Sequence, residues 1–336
     1  MSSFIERVLH PEGYHGRGKS PPFFEGWYFK IVDATETHRY AVIPGISLGR
    51  GEGGPHSFVQ VLDGVTGQTS YRRYPVDAFH AAETTLDVHV GPNHFTAEEM
   101  SLDLSGTELP LQGKVAFHGV RPWPITLPAP GIMGPFSWVP RMECYHGVVS
   151  LDHALSGQLE TGRGPVTFDG GRGYIEKDWG QSFPSGWVWM QSNHFGQPGT
   201  VRAGTCLTAS IAMIPWLGSS FPGFIVGLLW QGTLYRFATY TGAVTRHLAV
   251  TDQMVNWVIE DSVYRLTLTG HRAESGHLRG PGKEDMGRRV PETLSARIDV
   301  ALDARREGRT LFSQTGHYAG MEVGADIQPL LTRGGR

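Results

Sequence analysis

Alternation of apolar and polar residues with a period of two recurs along this chain. It is plain in "SFVQVLDG" (Ser57–Gly64), "HGVVSLDH" (His146–His153), "SVYRLTLTG" (Ser262–Gly270) and "LSARIDVAL" (Leu294–Leu302). Successive side chains of a strand point to opposite faces, so this period marks half-buried strands. No long stretch carries helical periodicity. Turn pairs such as Asp63-Gly64, Thr66-Gly67 and Ser156-Gly157 punctuate the runs, within a total of 45 glycines and 22 prolines. The pattern confines the chain to an all-β architecture of many short antiparallel strands.

At 336 residues the chain exceeds what one hydrophobic core ordinarily serves. Its two halves echo each other. Gly26-Trp27-Tyr28-Phe29 has a counterpart in Gly186-Trp187-Val188-Trp189, "FVQVLDGVTGQTSYRRYP" from Phe58 in "FIVGLLWQGTLYRFATYTG" from Phe224, and "SLDHALSGQL" from Ser150 in "ALDARREGRTL" from Ala301. The expectation is a duplicated domain, 1–165 and 166–336, each half an antiparallel β-barrel that closes its own sheet edges. Prolines at Arg121–Pro140 ("RPWPITLPAPGIMGPFSWVP") predict an extended loop insert, because proline lacks the donor a central strand needs. An irregular insert of that length suits a functional lid.

The formal net charge of −3 offers no basic footprint, which excludes nucleic acid as a partner. Cys144 and Cys206 form neither a disulfide framework nor a metal spacing, in keeping with a reducing cytoplasm. The opening residues lack the apolar stretch of a secretory signal. Between Arg202 and Arg236 no acidic or basic side chain occurs, and the centre reads "LTASIAMIPWLGSSFPGFIVGLLW". The length would suffice for a spanning helix of about 20 residues. Pro215, Gly218, Ser219, Ser220, Pro222 and Gly223 instead split it into two strand-length runs, and two buried strands around a turn are expected. So long an uncharged run is compatible with peripheral contact at the inner membrane face.

Two motif matches fail on context. "GISLG" (Gly45–Gly49) matches G-x-S-x-G, but the glycines after it cannot start the helix a nucleophile elbow needs, so Ser47 is not read as a nucleophile. The fifteen histidines include no H-E-x-x-H, and His89 and His94 in "DVHVGPNH" have no spacing that identifies a site, so no metal is expected.

Three segments combine acids with aromatic rings. "PPFFEGWYFK" sets Glu25 among Phe23, Phe24, Trp27 and Tyr28. "RMECYHG" sets Glu143 and His146 around Cys144 and Tyr145. "GYIEKDWGQSFPSGWVWMQSNHF" (Gly173–Phe195) sets Glu176, Lys177 and Asp178 beside Trp179. For any one residue an ion pair at a strand end is the ordinary explanation. Three such clusters together suit an apolar chamber in which a desolvated carboxyl keeps its proton and ring faces stabilise a cation.

At these segments the chain resembles the tocopherol cyclase family, through "PPFFEGWYFKIV", "MECYHGVVSLDHALSGQL" and "GYIEKDWGQSFPSGWVWMQSNHF". The likeness continues through "LYRFATYTGAV" and "AGMEVGAD", from about Phe23 to Asp326. The resemblance implies a cofactor-free enzyme that closes a chromanol ring on a prenylated benzoquinol: the alkene nearest the ring is protonated and the phenolic oxygen traps the tertiary cation. Broader relatives, including carotenoid hydratases, imply a pair of lipocalin-like barrels. The chain departs from the family's "EKNWG" by carrying Asp178, an added carboxylate, and Tyr145 follows the cysteine of "MEC". Without a plastid transit segment, a bacterial-type, cytoplasmic member is expected.

On this reading Glu143, Glu176 or Asp178 donates the proton, with Glu25 as an outside candidate, and His146 or a carboxylate accepts the phenolic proton. Trp27, Tyr28, Trp187 and Trp189 line the cavity, and Tyr145, Trp179, Gln191 and Asn193 complete the substrate contacts. Lys177 pairs with an acid or orients the quinol oxygen. On an extended strand Glu176 and Asp178 share one side and Lys177 takes the other. The partner is a hydrophobic small molecule. Two alternatives stand beside this: an isoprenoid hydratase in which water traps the cation, or another cyclase on a related hydrophobic substrate, and a non-catalytic carrier of isoprenoid quinones or carotenoids.

Overall fold

The computed structural model describes residues 3–51, 53–197 and 203–333. The chain divides into two units, Met1–Phe183 with Gly276–Arg289, and Pro184–Ser275 with Val290–Arg336. The fold is all-β, as the alternation requires, and each unit is built on one large antiparallel sheet.

In chain order the first sheet contains β1 (Phe24–Val32), β2 (Arg39–Ser47), β3 (His56–Asp63), β4 (Thr69–Tyr74), β5 (Phe79–Ala81), β6 (Asp87–Val90), β7 (Asn93–Thr96), β8 (Glu99–Asp103), β9 (Leu111–His118), β10 (Cys144–Thr161), β11 (Gly164–Thr167) and β12 (Arg172–Gly180). They lie side by side as β4-β3-β2-β1-β12-β10-β9-β8-β7-β6-β5, with β11 on β10. Trp27, Val42, Val61, Val90, Phe95 and Ile175 come from six of these strands and share one core, so the sheet wraps around its apolar face.

The second unit carries β13 (Gly186–Ser192), β14 (His194–Phe195), β15 (Cys206–Trp216), β16 (Ser219–Trp230), β17 (Thr233–Ala238), β18 (Val244–Val250), β19 (Met254–Glu260) and β20 (Tyr264–His271). After the short strand β21 (Gly276–Gly280) follow the long β22 (Arg288–Ala304) and β23 (Arg309–Ala325). The main path is β17-β16-β15-β13-β23-β22-β20-β19-β18. Val188, Met190, Val226, Trp257, Leu268 and Ile298 belong to its core.

Laid against each other, the two strand orders correspond position by position from β4 and β17 inward. The three sequence echoes fall on matching strands: Gly26 on β1 and Gly186 on β13, Phe58 on β3 and Phe224 on β16, Ser150 on β10 and Ala301 on β22. The first sheet adds β5 and β6 beyond the common set.

The units do not meet at residue 165. β12 is a central strand of the first sheet, paired with β1 from Phe24↔Gly180 to Val32↔Arg172, so that sheet is incomplete before Gly180. The segment Gly276–Arg289 also belongs to the first unit. There the Arg279 backbone N–H donates to the Gln60 side chain at 2.7 Å, and the Gln60 amide donates back to the Arg279 carbonyl at 3.2 Å.

The uncharged run after residue 202 forms the hairpin β15–β16, paired from Cys206↔Leu229 to Trp216↔Ser219. Its two-residue turn, Leu217-Gly218, has positive φ at both positions (47° and 80°), the geometry that matches the twist of the flanking strands. No helix among the described residues is long and apolar enough to cross a membrane. The proline-rich insert is irregular apart from a bridge between Ile125 and Pro130 and a 3₁₀ turn at Gly134–Trp138.

Candidate active site

β12 lies between β1 and β10, and the register decides which side chains meet. Tyr28, Glu176 and Val148 form one cross-strand row, and Gly26, Asp178 and His146 form the next. Strand alternation sends Tyr174, Glu176 and Asp178 to one face and Ile175, Lys177 and Trp179 to the other. The second is the core face of the unit, since Ile175 and Trp27 belong to its core.

On the first face the His146 ring is bracketed by two carboxylates. Nδ1 lies 2.9 Å from Asp178 Oδ1, and Nε2 lies 3.5 Å from Glu176 Oε2. The Tyr174 hydroxyl donates to the same Glu176 oxygen at 2.6 Å. Tyr174 is wholly buried and Glu176 is 5% exposed, whereas the Asp178 side chain is 29% exposed. An imidazole held this way can move a proton between a buried acid and a more open one. The same three residues present ligand atoms within 4.8 Å of one another, so the cluster could also hold a cation.

Other residues of this face are arranged around the cluster. Met133, from the proline-rich insert, offers its sulfur to the His146 backbone N–H at 3.1 Å, which packs the insert against the site. Burial pushes the Cys144 thiol well above its ordinary range, with Asp178 and Glu143 adding to the effect, so it stays protonated. Glu143 accepts a hydrogen bond from the Ser182 hydroxyl at 3.0 Å. Tyr28 is buried beside Glu176, and Lys30, two residues further along β1, is fully buried on the same side.

Glu25 and Lys177 are on the core face, away from the cluster. Lys177 Nζ lies 2.5 Å from Glu25 Oε1, and both side chains are fully buried. The carbonyls of Pro11 (3.1 Å) and Gly13 and the His15 Nδ1 (2.9 Å) also surround the ammonium, whose three protons are shared among these four acceptors, Glu25 included. It lies over the rings of Trp27 and Trp179 at 4.8 and 4.5 Å. His15 Nε2 donates to the Arg7 carbonyl at 3.0 Å, leaving Nδ1 as the acceptor for Lys177. Trp179 is stacked between His15 (4.4 Å) and Tyr145 (5.3 Å). The Tyr145 hydroxyl donates to the Val139 carbonyl at 2.7 Å and tethers the end of the insert. Trp27 donates its indole N–H to the Glu12 carbonyl at 2.8 Å. These residues lock the N-terminal segment onto β1 and β12.

Trp187, Trp189, Gln191 and Asn193 belong to the second unit. The first three share the face of β13 opposite the core residues Val188 and Met190. The Trp187 indole donates to Glu322 Oε2 at 2.6 Å. A side chain at Gly324 would start 2.1 Å from the Trp187 ring, so the glycine of "MEVGAD" makes room for it. Gln191 donates to Cys206 Sγ at 3.7 Å, and Asn193 Oδ1 lies 3.0 Å from His194 Nδ1.

Sequence reasoning named His146, Glu176 and Asp178 and foresaw that the two acids share a face. It passed over Tyr174 as a partner of Glu176, and over Lys30, which alternation from Tyr28 would have placed on the same side. It also gave no role to His15, whose position follows from packing distant in sequence.

A family model described as tocopherol cyclase-like matches residues 131–325. A rice protein (Oryza sativa subsp. japonica) named "Probable tocopherol cyclase, chloroplastic" is 22% identical, over 93% of this chain and 77% of its own length. A maize protein (Zea mays) named "Tocopherol cyclase, chloroplastic" is 25% identical over 53% of this chain, which spans 39% of the maize protein. The crystal structure of a provisionally named AttH protein from Nitrosomonas europaea superposes with a TM-score of 0.54 at 13% identity, covering 93% of this chain and 95% of that one, and carries the same fold. The family model spans more than half of the sequence and includes the His146, Glu176 and Asp178 cluster; this chain belongs to the tocopherol cyclase-like family.

Proposed function

We propose that this chain is a cyclase that closes an oxygen ring on a prenylated quinol by acid catalysis. The observation that carries the reading is the His146 ring set between Asp178 and Glu176. The His146–Glu176 pair gives a proton to the less substituted carbon of the alkene nearest the aromatic ring. A tertiary cation forms, the phenolic oxygen bonds to it, and the phenolic proton returns to the pair. Substrate and product are isomers, so the relay ends each turnover as it began, and no redox step is needed. Asp178 accepts from His146 Nδ1 and orients the ring, Tyr174 fixes Glu176, and Tyr28 supplies an aromatic wall beside it. Glu143 is kept as an alternative donor.

The test is incubation with a panel of prenylated quinols and polyenes followed by mass analysis. Cyclisation gives an isomer of the substrate. A second reading, hydration, is favoured by the partial exposure of Asp178, which admits water to the cluster, and it adds the mass of water. Binding without turnover would point to the carrier reading.

The same proposal extends to membrane contact. Trp216 and Leu217 are 39% and 92% exposed at the tip of the β15–β16 hairpin, within a stretch that lacks charged side chains. We infer that this tip dips into a lipid surface where a prenylated substrate dissolves. Co-sedimentation with phosphatidylcholine vesicles should be lost in the Trp216→Ser/Leu217→Ser variant. Equal sedimentation of the two proteins would refute the contact.

A further inference from the structure

We propose that His89, His94 and Asp87, with His80 beside them, form a binding site for a first-row transition cation of the zinc type. The site lies on β5, β6 and β7, at the end of the first sheet and four strands along it from β12. Its ligands are gathered by strand pairing rather than by sequence spacing, which is why no metal motif is legible. His80 pairs with His89 across β5–β6, and His89 pairs with His94 across β6–β7, so three histidines stand in one cross-strand row. Directly opposed residues have Cβ atoms about 4.5–5.5 Å apart, close enough for neighbouring imidazoles to reach one ion. Asp87, two residues before His89 on the same strand, points to the same face.

The donor atoms already have the spacing that a small cation requires. Asp87 Oδ1 lies 2.9 Å from His94 Nε2 and 3.5 Å from His89 Nε2. Metal bonds of about 2.0–2.1 Å in a tetrahedron imply ligand separations of roughly 3.3 Å. All three ligand atoms fall within 4.8 Å of one another. The two rings are stacked in parallel, 3.9 Å apart, with Nε2 of each near Asp87, so binding one ion requires a rotation of the rings that brings their in-plane lone pairs together. Two or three imidazoles with one carboxylate select zinc, nickel or copper over magnesium or calcium, which prefer oxygen alone. The half-exposed ligands leave the remaining positions to water or to His80. A bound ion would join three short strands at the end of the sheet, where β5 is the last strand in the order among the described residues.

The test is calorimetric titration of the chelator-treated full chain with zinc chloride near neutral pH. At least one saturable equivalent that does not depend on His146 is expected, together with a higher melting temperature in excess zinc, because a ligand of the folded state stabilises it. Loss of even an outer partner weakens metal sites by about 10–100-fold, so His94→Ala and Asp87→Asn should each weaken this equivalent by at least about tenfold. Both should keep the unliganded circular dichroism spectrum and lose the zinc-dependent rise in melting temperature. His146→Ala, which dismantles the other histidine–carboxylate cluster, should retain the equivalent. The proposal is overturned if zinc binds the His89→Ala/His94→Ala double variant as tightly as the native chain. It is equally overturned if no saturable binding occurs, or if the equivalent disappears in His146→Ala alone.

Discussion

Lys177 and Glu25 meet at 2.5 Å inside the first unit, both fully buried, while the residues on either side of Lys177 in sequence face the opposite way and form the acid cluster with His146. The core-side lock and the proposed chemistry thus share one strand. Removing one partner leaves an uncompensated buried charge, which costs about 3–5 kcal/mol. Lys177→Met should therefore lower stability in urea by that amount, whereas Lys177→Met/Glu25→Gln should fall well short of the sum of the single losses. Additive losses would mean that the pair is not coupled.

Acid should destabilise the chain before carboxylates titrate. Burial pushes His15 below its ordinary range, with Lys177 adding to it. Burial likewise pushes His153 down to about 3, with Arg172 and His118 contributing. Both take up protons near pH 6.5 only when unfolded, so the unfolded state binds more protons as pH falls below that value. Each then removes up to about 1.4 kcal/mol per pH unit. For Glu25, burial alone would raise the pKa, but Lys177 and the His15 contacts override it and hold it low. Its contribution is present above the ordinary carboxylate range and is lost as pH drops through the lowered value. All three groups act in the same direction, and urea midpoints measured from pH 8 down to pH 5 should decline steadily below about pH 6.5. A flat profile would contradict the burial of neutral His15 and His153.

Gly173 should not tolerate a side chain. An added Cβ would lie 2.2 Å from His153 Nε2, whereas at Gly26 the nearest atom would be 3.6 Å away. Gly173→Ala should cost about 1–3 kcal/mol through overpacking, with Gly26→Ala close to neutral. Combining Gly173→Ala with His153→Ala should recover part of the loss, as read from melting temperatures.

Asp178→Ala removes the acceptor facing His146 Nδ1, which the amide of the family's "EKNWG" would keep. With a prenylated quinol, kcat should fall by about 10²-fold or more while KM stays near its native value. A change confined to KM would make Asp178 a binding residue.

Much of this was legible in local pattern. Alternation placed the strands, the two-residue turn at Leu217-Gly218 confirmed two strands in the uncharged run, and strand geometry put Glu176 and Asp178 together with Lys177 opposite. What escaped depends on contacts between distant residues. Lys177 finds partners more than 150 positions away at Pro11, Gly13, His15 and Glu25, and nothing in "EKDWG" announces them. The return of Gly276–Arg289 to the first unit, and the row His80, His89, His94, are likewise products of packing and register rather than of neighbouring residues.

The central claim is tested most directly by turnover of a prenylated quinol in deuterium oxide by the native chain and by Glu176→Gln. The expected product is cyclised and carries one deuterium on the ring carbon adjacent to the quaternary carbon that bears the new ether oxygen, and kcat is expected to be about 10²–10⁴-fold lower in the folded variant. A product without deuterium, or full activity of both Glu176→Gln and His146→Ala, would contradict the claim.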